Sequence, residues 1–371
     1  MGWVSAGFDY VPHPISVLRY GRNRLTQVPD LLTQLGLRRI FMITSPTVRR
    51  HEFLRRLTEA LGDRVAGVFD RVRPHSPIET VEEAAEQVAD LDAEGLLSLG
   101  GGSCVDTAKA VAYFHRQRRA TQLPHVAVPT TLSGAEFSGG AGISHGSIKK
   151  IYRPNLFCDA VVLDPDVALT TPRDLFLASG LNAIAHCVEG VCSVQSTPFS
   201  DAFLLQALGL LSESLVQVRQ SDADVNARGR AQVGGALAAM GSHNLPVGLE
   251  HALAHAVGAH SRAPHALVHA VLIAPVMRFN HESVVAAQAA IADALGVKGS
   301  GDLTSRARQG IDKIEQLLVD LGIPTGLHAL GVREDSLEEI ADAAQDDPCF
   351  PTNPRRVQRR EEVVDVLRDA M

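Results

Sequence analysis

At 371 residues the chain is too long for one ordinary domain and about right for two, so a cleft between domains is the expected place for a ligand. Hydrophobic residues make up 45% and charged residues 21%, enough to bury a large core, and a net charge of -7 without any basic block argues against nucleic acid or an anionic membrane as partner. The five cysteines (Cys104, Cys158, Cys187, Cys192 and Cys349) are scattered without a CxxC pair, which indicates neither a disulfide framework nor a thiolate metal site and fits a reducing cytoplasm.

The N-terminal stretch MGWVSAGFDYVPHP has no basic segment followed by an apolar core. No uninterrupted apolar run of about 18 residues occurs, so neither export nor a membrane anchor is expected. The first half then alternates short β-branched runs with amphipathic stretches, the pattern of βαβ units on a parallel sheet. Strands are expected at Arg39–Thr44, Val65–Phe69, Gly95–Leu99, His125–Val128 and Ala160–Leu163, with helices between them such as His51–Leu61 and Ile78–Leu91. After Asp164-Pro165 the texture changes to successive helices, among them Asp201–Val216, Ala223–Met240 and Ser283–Leu295. Two domains follow, residues 1–165 and 166–371, with no repeat and no low-complexity linker.

The expected strand Gly95–Leu99 runs into Gly100-Gly101-Gly102-Ser103, and Cys104–Tyr113 has helical composition. A helix N-terminus offers unpaired N–H groups and partial positive charge, while glycine admits a pyrophosphate close to the backbone. Ser103 can add a hydroxyl donor, and Asp106 falls in the first turn. A bare tight turn would also use these glycines, so the motif alone leaves both readings open. The next loop, Pro129-Thr130-Thr131-Leu132-Ser133-Gly134-Ala135-Glu136, puts two hydroxyls at the carboxyl end of a parallel strand, where doubly wound sheets bind ligands. Ser133 and Glu136 equally match a Ser-x-x-Glu capping box.

Seven of the fifteen histidines fall between residues 186 and 269. His251 and His255 are four apart in GLEHALAHAVG, His265 and His269 are four apart in PHALVH, and His186 follows Asn182 by four in GLNAIAHCVEG. That spacing puts each pair on one helix face. A lone histidine on an apolar helix is usually a core residue, but three such pairs point to a site. Imidazoles ligate iron or zinc, and His186, His251 and His265 can form a three-histidine set. The fourth position holds the neutral Asn182, which argues against a metal.

Taken in order, Tyr20-Gly21, GGGSCVDTAKA (100–110), PTTLSGAE (129–136), VVLDP (161–165), GLNAIAHCVEG (180–190), the segment 250–280 and NPR (353–355) resemble the iron-containing alcohol dehydrogenase superfamily over nearly the whole chain. The resemblance implies the fold shared with dehydroquinate synthase: an N-terminal α/β, Rossmann-like dinucleotide-binding domain and an all-helical C-terminal domain. It also implies a homodimer. The family's metal ligands, one Asp and three His, fall on Asn182, His186, His251 and His265, and His255 matches a histidine beside the nicotinamide. The maleylacetate reductase branch carries similar Asn-Ala-Ile-Ala-His and Pro-His-Ala-x-x-His segments and needs no metal. GSHNLPVGLEH (241–251) and HSRAPH (260–265) depart from the pattern, which leaves the substrate open.

The expected activity is NAD(P)H-dependent reduction of the conjugated C=C of an anionic oxo-acid such as maleylacetate, giving 3-oxoadipate in aromatic catabolism. Asn182, His186, His251, His255, His265 and His269 form the catalytic set. Ser45, Gly101, Gly102, Ser103, Asp106, Thr130, Thr131 and Lys150 form the cofactor set. Ser45 stands where many NAD-specific enzymes place a carboxylate, and Arg49 or Arg50 can attract a 2′-phosphate, so use of both NADH and NADPH is expected. Clustered imidazoles are expected to depress one another's pKa, and a bound dicarboxylate to raise them again. The rivals are a metal-dependent alcohol or aldehyde dehydrogenase of the same fold, a lyase resembling dehydroquinate synthase, and a non-catalytic ligand-binding protein.

Overall fold

The structure is a computed structural model that describes residues 13–146, 148–152, 157–261, 263–298, 301–324 and 326–371, without the side chains of residues 148–151. Two compact units emerge. One contains residues 13–176 together with Ala223–Gln232, the other Leu177–Asp222 and Val233–Met371. The units therefore divide at Phe176/Leu177, beyond the change of texture at residue 165.

In the α/β unit six strands form one parallel sheet: β1 (Val17–Tyr20), β2 (Ile40–Thr44), β3 (Val65–Phe69), β4 (Gly95–Gly100), β5 (His125–Pro129) and β8 (Ala160–Leu163), in the order β1-β8-β5-β4-β2-β3. Residues alternate between the faces and both faces are covered, which is why β2 is buried throughout and apolar up to Thr44. Ile40 and Met42 join a core with Leu97, Val126 and Val162, while Phe41 and Ile43 pack on the other side with Val81, Ala108 and Val111. A strand buried on both faces reads as a continuous apolar run. The expected strands all form, with ends moved by at most one residue. Three strands escape the sequence reading: the short β1, and the antiparallel pair β6 (Ala141–His145) and β7 (Ile148–Tyr152).

The segment Ala223–Gln232 belongs with the α/β unit because Arg228 is fully buried there. Its Nη1 donates to the carbonyls of Ala168 (2.6 Å) and Thr171 (2.9 Å), and its guanidinium lies 4.6 Å from the ring centre of Phe176. In the other unit the helices Leu249–Ser261 and His265–Asn280 pack with Leu337–Gln345 and Arg360–Asp369 around Leu253, Val257, Leu272, Ile340 and Leu367. Two helices, Arg173–Cys192 and Pro198–Gln220, are long and apolar enough to cross a membrane by length and composition alone, but polar residues interrupt both, as the sequence reading expects, and 72% of the apolar window of the first is buried within the protein.

Lys109 fixes the loop after β5. It is buried in the helix Gly102–Arg119, and its Nζ donates to the carbonyls of Ala135, Ser138 (2.5 Å) and Gly140 (2.8 Å). Lys109→Met would leave those carbonyls without their cationic donor, at a cost of about 3 kcal/mol. Urea unfolding should show a midpoint lowered accordingly with an unchanged slope. A loss below about 1 kcal/mol would mean that the loop holds itself without the lysine.

Candidate active site

In the α/β unit, β4 ends at Gly100 with φ +147°, and the helix begins at Gly102 with Gly101 as its N-cap and no side chain capping it. That leaves backbone donors at the carboxyl end of a parallel strand, the place for an anion. The glycines are also required by packing. A Cβ on Gly100 would lie 2.5 Å from Cys104 Sγ, one on Gly101 3.0 Å from Thr131 Cγ2, and one on Gly102 2.7 Å from Ser133 Oγ. The two polar loops thus touch each other, and a bulky residue at Gly102 would disturb the turn before it met any ligand.

The other expected cofactor residues are built into the same frame. Ser103 Oγ accepts from the His75 N–H at 3.1 Å, and its carbonyl accepts from Ser76 Oγ at 3.0 Å. Asp106 Oδ2 accepts from the Gly142 N–H at 3.2 Å. Thr130 and Thr131 are buried, and the Thr130 carbonyl accepts from Thr171 Oγ1 at 2.8 Å. The capping box read at Ser133 and Glu136 does not form: Gly134 precedes only a short 3-10 turn, Ala135–Phe137, with no side-chain cap. Glu136 is instead buried, with its Oε2 unpartnered, and burial pushes its pKa up to about 7. Ser45 caps the helix Pro46–Arg49, accepting from the Val48 N–H at 3.3 Å, while Arg49 pairs with Asp70 at 3.4 Å. Lys150 lies in β7, and its side chain is outside the described residues.

In the helical unit the sequence-predicted histidines come together. Ring centres of His186 and His251 lie 4.5 Å apart, those of His251 and His269 4.5 Å, and those of His265 and His269 4.2 Å. His255 stacks on His265 at 5.6 Å. His251 Nδ1 donates to Glu189 Oε2 at 2.5 Å and lies 3.1 Å from Glu250 Oε2. Glu250 also receives His269 Nδ1, at 2.8 and 2.9 Å to its two oxygens, and His269 Nε2 lies 2.9 Å from His265 Nε2. An unbroken chain therefore runs from the exposed His265 through the buried His269 and Glu250 to His251. Asn182 is on the same helix as His186, and both are partly exposed.

The electrostatics follow from these contacts. Burial opposes a charge on His251, but Glu189 and Glu250 outweigh it and raise its pKa to about 10. Burial, and then the neighbouring imidazoles, push His186 well below the ordinary value. The expected mutual depression of the cluster thus holds for His186 and is reversed at His251. His251 Nε2 and His186 Nδ1 are buried without a protein partner.

A metal fits this set poorly. Asn182 supplies no charge and His265 Nε2 is engaged by His269 Nε2, although His251, with Nδ1 on Glu189 and a buried, unpartnered Nε2, is arranged as a ligating imidazole would be as well as a hydrogen-bond donor. Among the described residues two groups bring three possible ligand atoms within 4.8 Å, Glu250 with His251 and His269, and His255 with Asp347 and Cys349. Neither is the set expected from Asn182, His186, His251 and His265.

Sequence reasoning missed Glu189, Glu250, Asp347 and Lys109. Glu189 sits in the GLNAIAHCVEG segment and Glu250 next to His251, so their positions were visible but not their targets. Asp347, which accepts from His255 Nδ1 at 2.8 Å, is 92 residues away from it and gave no signal.

The family model described as iron-containing alcohol dehydrogenase matches residues 16–165, and that of the C-terminal region of the Fe-containing alcohol dehydrogenase family matches residues 176–371. The chain is 32% identical over 352 residues to a maleylacetate reductase of Pseudomonas knackmussii, covering 95% of this chain and 94% of that one. The crystal structure of maleylacetate reductase from Agrobacterium tumefaciens has a TM-score of 0.87 at 27% identity, covering 98% of both chains. A 1,3-propanediol oxidoreductase structure has a TM-score of 0.89 at 26% identity, covering 98% of this chain and 100% of that one, so the fold alone does not select the substrate. On the two family matches and this full-length similarity, the chain belongs to the iron-containing alcohol dehydrogenase family and is an NAD(P)-dependent oxidoreductase.

Proposed function

We propose that the chain is an NAD(P)H-dependent reductase of the conjugated C=C of an anionic oxo-acid such as maleylacetate, giving 3-oxoadipate, and that it works without a metal. The carrying observation is His251. Its Nδ1 is clamped by Glu189 and Glu250, and its buried Nε2 has no protein partner. A ring held in this way presents one N–H to whatever binds in front of it. Hydride from the reduced nicotinamide adds to the carbon β to the ketone, the alkene electrons move towards the ketone oxygen, and the resulting enolate charge meets that N–H. An acid then protonates the α-carbon, and the chain His265–His269–Glu250–His251 can return the proton from solvent.

The dinucleotide is assigned to the turn at Gly101, Gly102 and Ser103 with Thr130 and Thr131. With Ser45 in place of a carboxylate, and occupied as a helix cap, both NADH and NADPH should be accepted. The similarity to maleylacetate reductases at about 30% identity supports the substrate class.

Three outcomes test this reading. NAD(P)H oxidation screened over maleylacetate, other oxo-acids, enones and aldehydes should be fastest with maleylacetate or a close oxo-acid and should survive exhaustive chelation. Activity lost on chelation and restored by iron or zinc would place the chain with the metal-dependent dehydrogenases. His251→Ala should lower kcat/KM by roughly a hundredfold or more while leaving NAD(P)H affinity nearly unchanged. Normal turnover in that variant would make the cluster structural.

The pH profile provides the third. The active form of His251 is protonated, and its pKa is raised from the ordinary 6.5 to about 10, so kcat/KM should stay level through neutrality and fall as pH rises through about 10. Glu189→Gln removes one of the raising charges and should move that fall downward. A parent profile that already declines between about pH 6 and 7, the range of an unperturbed histidine, would show that His251 is not the group in control.

A further inference from the structure

We propose that His255, Asp347 and Cys349 form a binding site for a borderline-soft divalent cation such as Zn²⁺, separate from the positions at which the family resemblance places metal ligands. A ring nitrogen of His255, a carboxylate oxygen of Asp347 and the sulfur of Cys349 lie within 4.8 Å of one another. Imidazole, carboxylate and thiolate together are the donor types zinc takes, and a tetrahedral centre with bonds of about 2.0–2.3 Å needs such atoms about 3.5 Å apart. Closure exchanges the hydrogen bond between His255 Nδ1 and Asp347 Oδ2, 2.8 Å long, for bonds to the metal, and the 39% exposed His255 side chain has room to turn while the Cys349 N–H holds Asp347 Oδ1.

The backbone beneath them is fixed. Asp347 Oδ1 accepts from the Cys349 N–H at 2.8 Å, and the Cys349 carbonyl accepts from Thr352 Oγ1 at 2.7 Å. Thr352 Oγ1 also reaches the Val247 carbonyl (2.5 Å), just ahead of the helix that carries His255. Cys349 also differs from the other four cysteines, all of them buried, with thiol pKa values pushed up by burial. Cys349 alone of the five is not fully buried. Binding displaces the thiol proton to solvent, and His255 keeps its remaining proton on whichever nitrogen faces away from the metal. No electron moves, and three protein donors leave a fourth position for water.

This inference rests on the proposed function in one respect only. If His255 serves the nicotinamide, a cation held on it inhibits, and metal found with the protein need not be catalytic.

Cobalt(II) added to the full-length apoprotein under a phosphine reductant tests the site by the near-ultraviolet thiolate-to-cobalt charge-transfer band, a readout independent of turnover. The band should saturate at one equivalent, vanish in Cys349→Ser and in Cys349→Ala, and persist in His251→Ala. Zinc should bleach it by displacement, and Zn²⁺ inhibition of NAD(P)H oxidation should weaken at least tenfold in Cys349→Ser. No band in the parent protein, a band that survives in both Cys349 variants, or one that disappears with His251→Ala would overturn the proposal. Failure of the maleylacetate screen would leave the band unaffected, so the two readings fail separately.

Discussion

The site depends on the carboxylates behind His251. The two oxygens of Glu189 are used differently. Oε1 accepts the N–H groups of Gly248 and Glu250, both at 3.0 Å, which starts the helix Leu249–Ser261, and Oε2 receives His251 Nδ1. One buried side chain therefore both begins the helix and orients the imidazole two residues into it. Two buried glutamates would be costly without compensation, since breaking a buried ion pair by removing one partner costs about 3–5 kcal/mol. His251 and His269 supply that compensation, so the charge state of the cluster is tied to the folding of the helices that carry it.

The same helix start is tied to segments far apart in sequence. Asn353 Oδ1 accepts from the Leu249 N–H (3.2 Å) and from Asn280 Nδ2 (3.0 Å), and Asn353 Nδ2 returns a bond to Asn280 Oδ1 at 2.7 Å. Arg355 donates to the Phe279 carbonyl at 2.8 Å and sits 4.0 Å from the ring centre of Phe279. The Asn-Pro-Arg and Phe-Asn pieces that carry part of the family resemblance are thus one interlocked support beneath His251. They contribute no chemistry of their own. They hold the helix N-terminus at which Glu189 and His251 meet.

What the sequence revealed was local and periodic. β2, β4, β5 and β8 are buried on both faces and stand out as mostly apolar runs, whereas β1 has only four residues, half of them on an alternating exposed face, and β6 and β7 are interrupted by polar positions. The histidines were readable because four-residue spacing on a helix is a geometric statement in itself. Their carboxylates were not, because Glu189 is 62 residues from His251 and only tertiary packing brings them together. Hence the cluster could be located while the sign of its pKa shift could not: imidazoles alone predict depression, and the unseen glutamates reverse it at His251. The glycine turn shows the opposite limit, since its residues were identified for a ligand while the protein's own loop also requires them.

The charge arrangement bears on why one fold serves different reactions. A dication in front of three imidazoles needs those rings neutral, with lone pairs directed at it and an anionic ligand beside them to offset its charge. An imidazolium is also served by anionic groups behind the ring, which ligating histidines share, so the two cases differ in what lies in front of it. Here residue 182, where the family resemblance places the anionic ligand, is an amide, while Glu189 and Glu250 both meet His251 at Nδ1 and Glu250 is shared with His269. On the proposed function, the group that stabilises developing oxyanion charge is the His251 Nε2–H, which donates a hydrogen bond to an enolate oxygen and needs no exchange of bound water to do so. Such a donor suits a conjugated ketone, whose negative charge spreads over oxygen and carbon, better than an alkoxide, whose charge is concentrated on one oxygen.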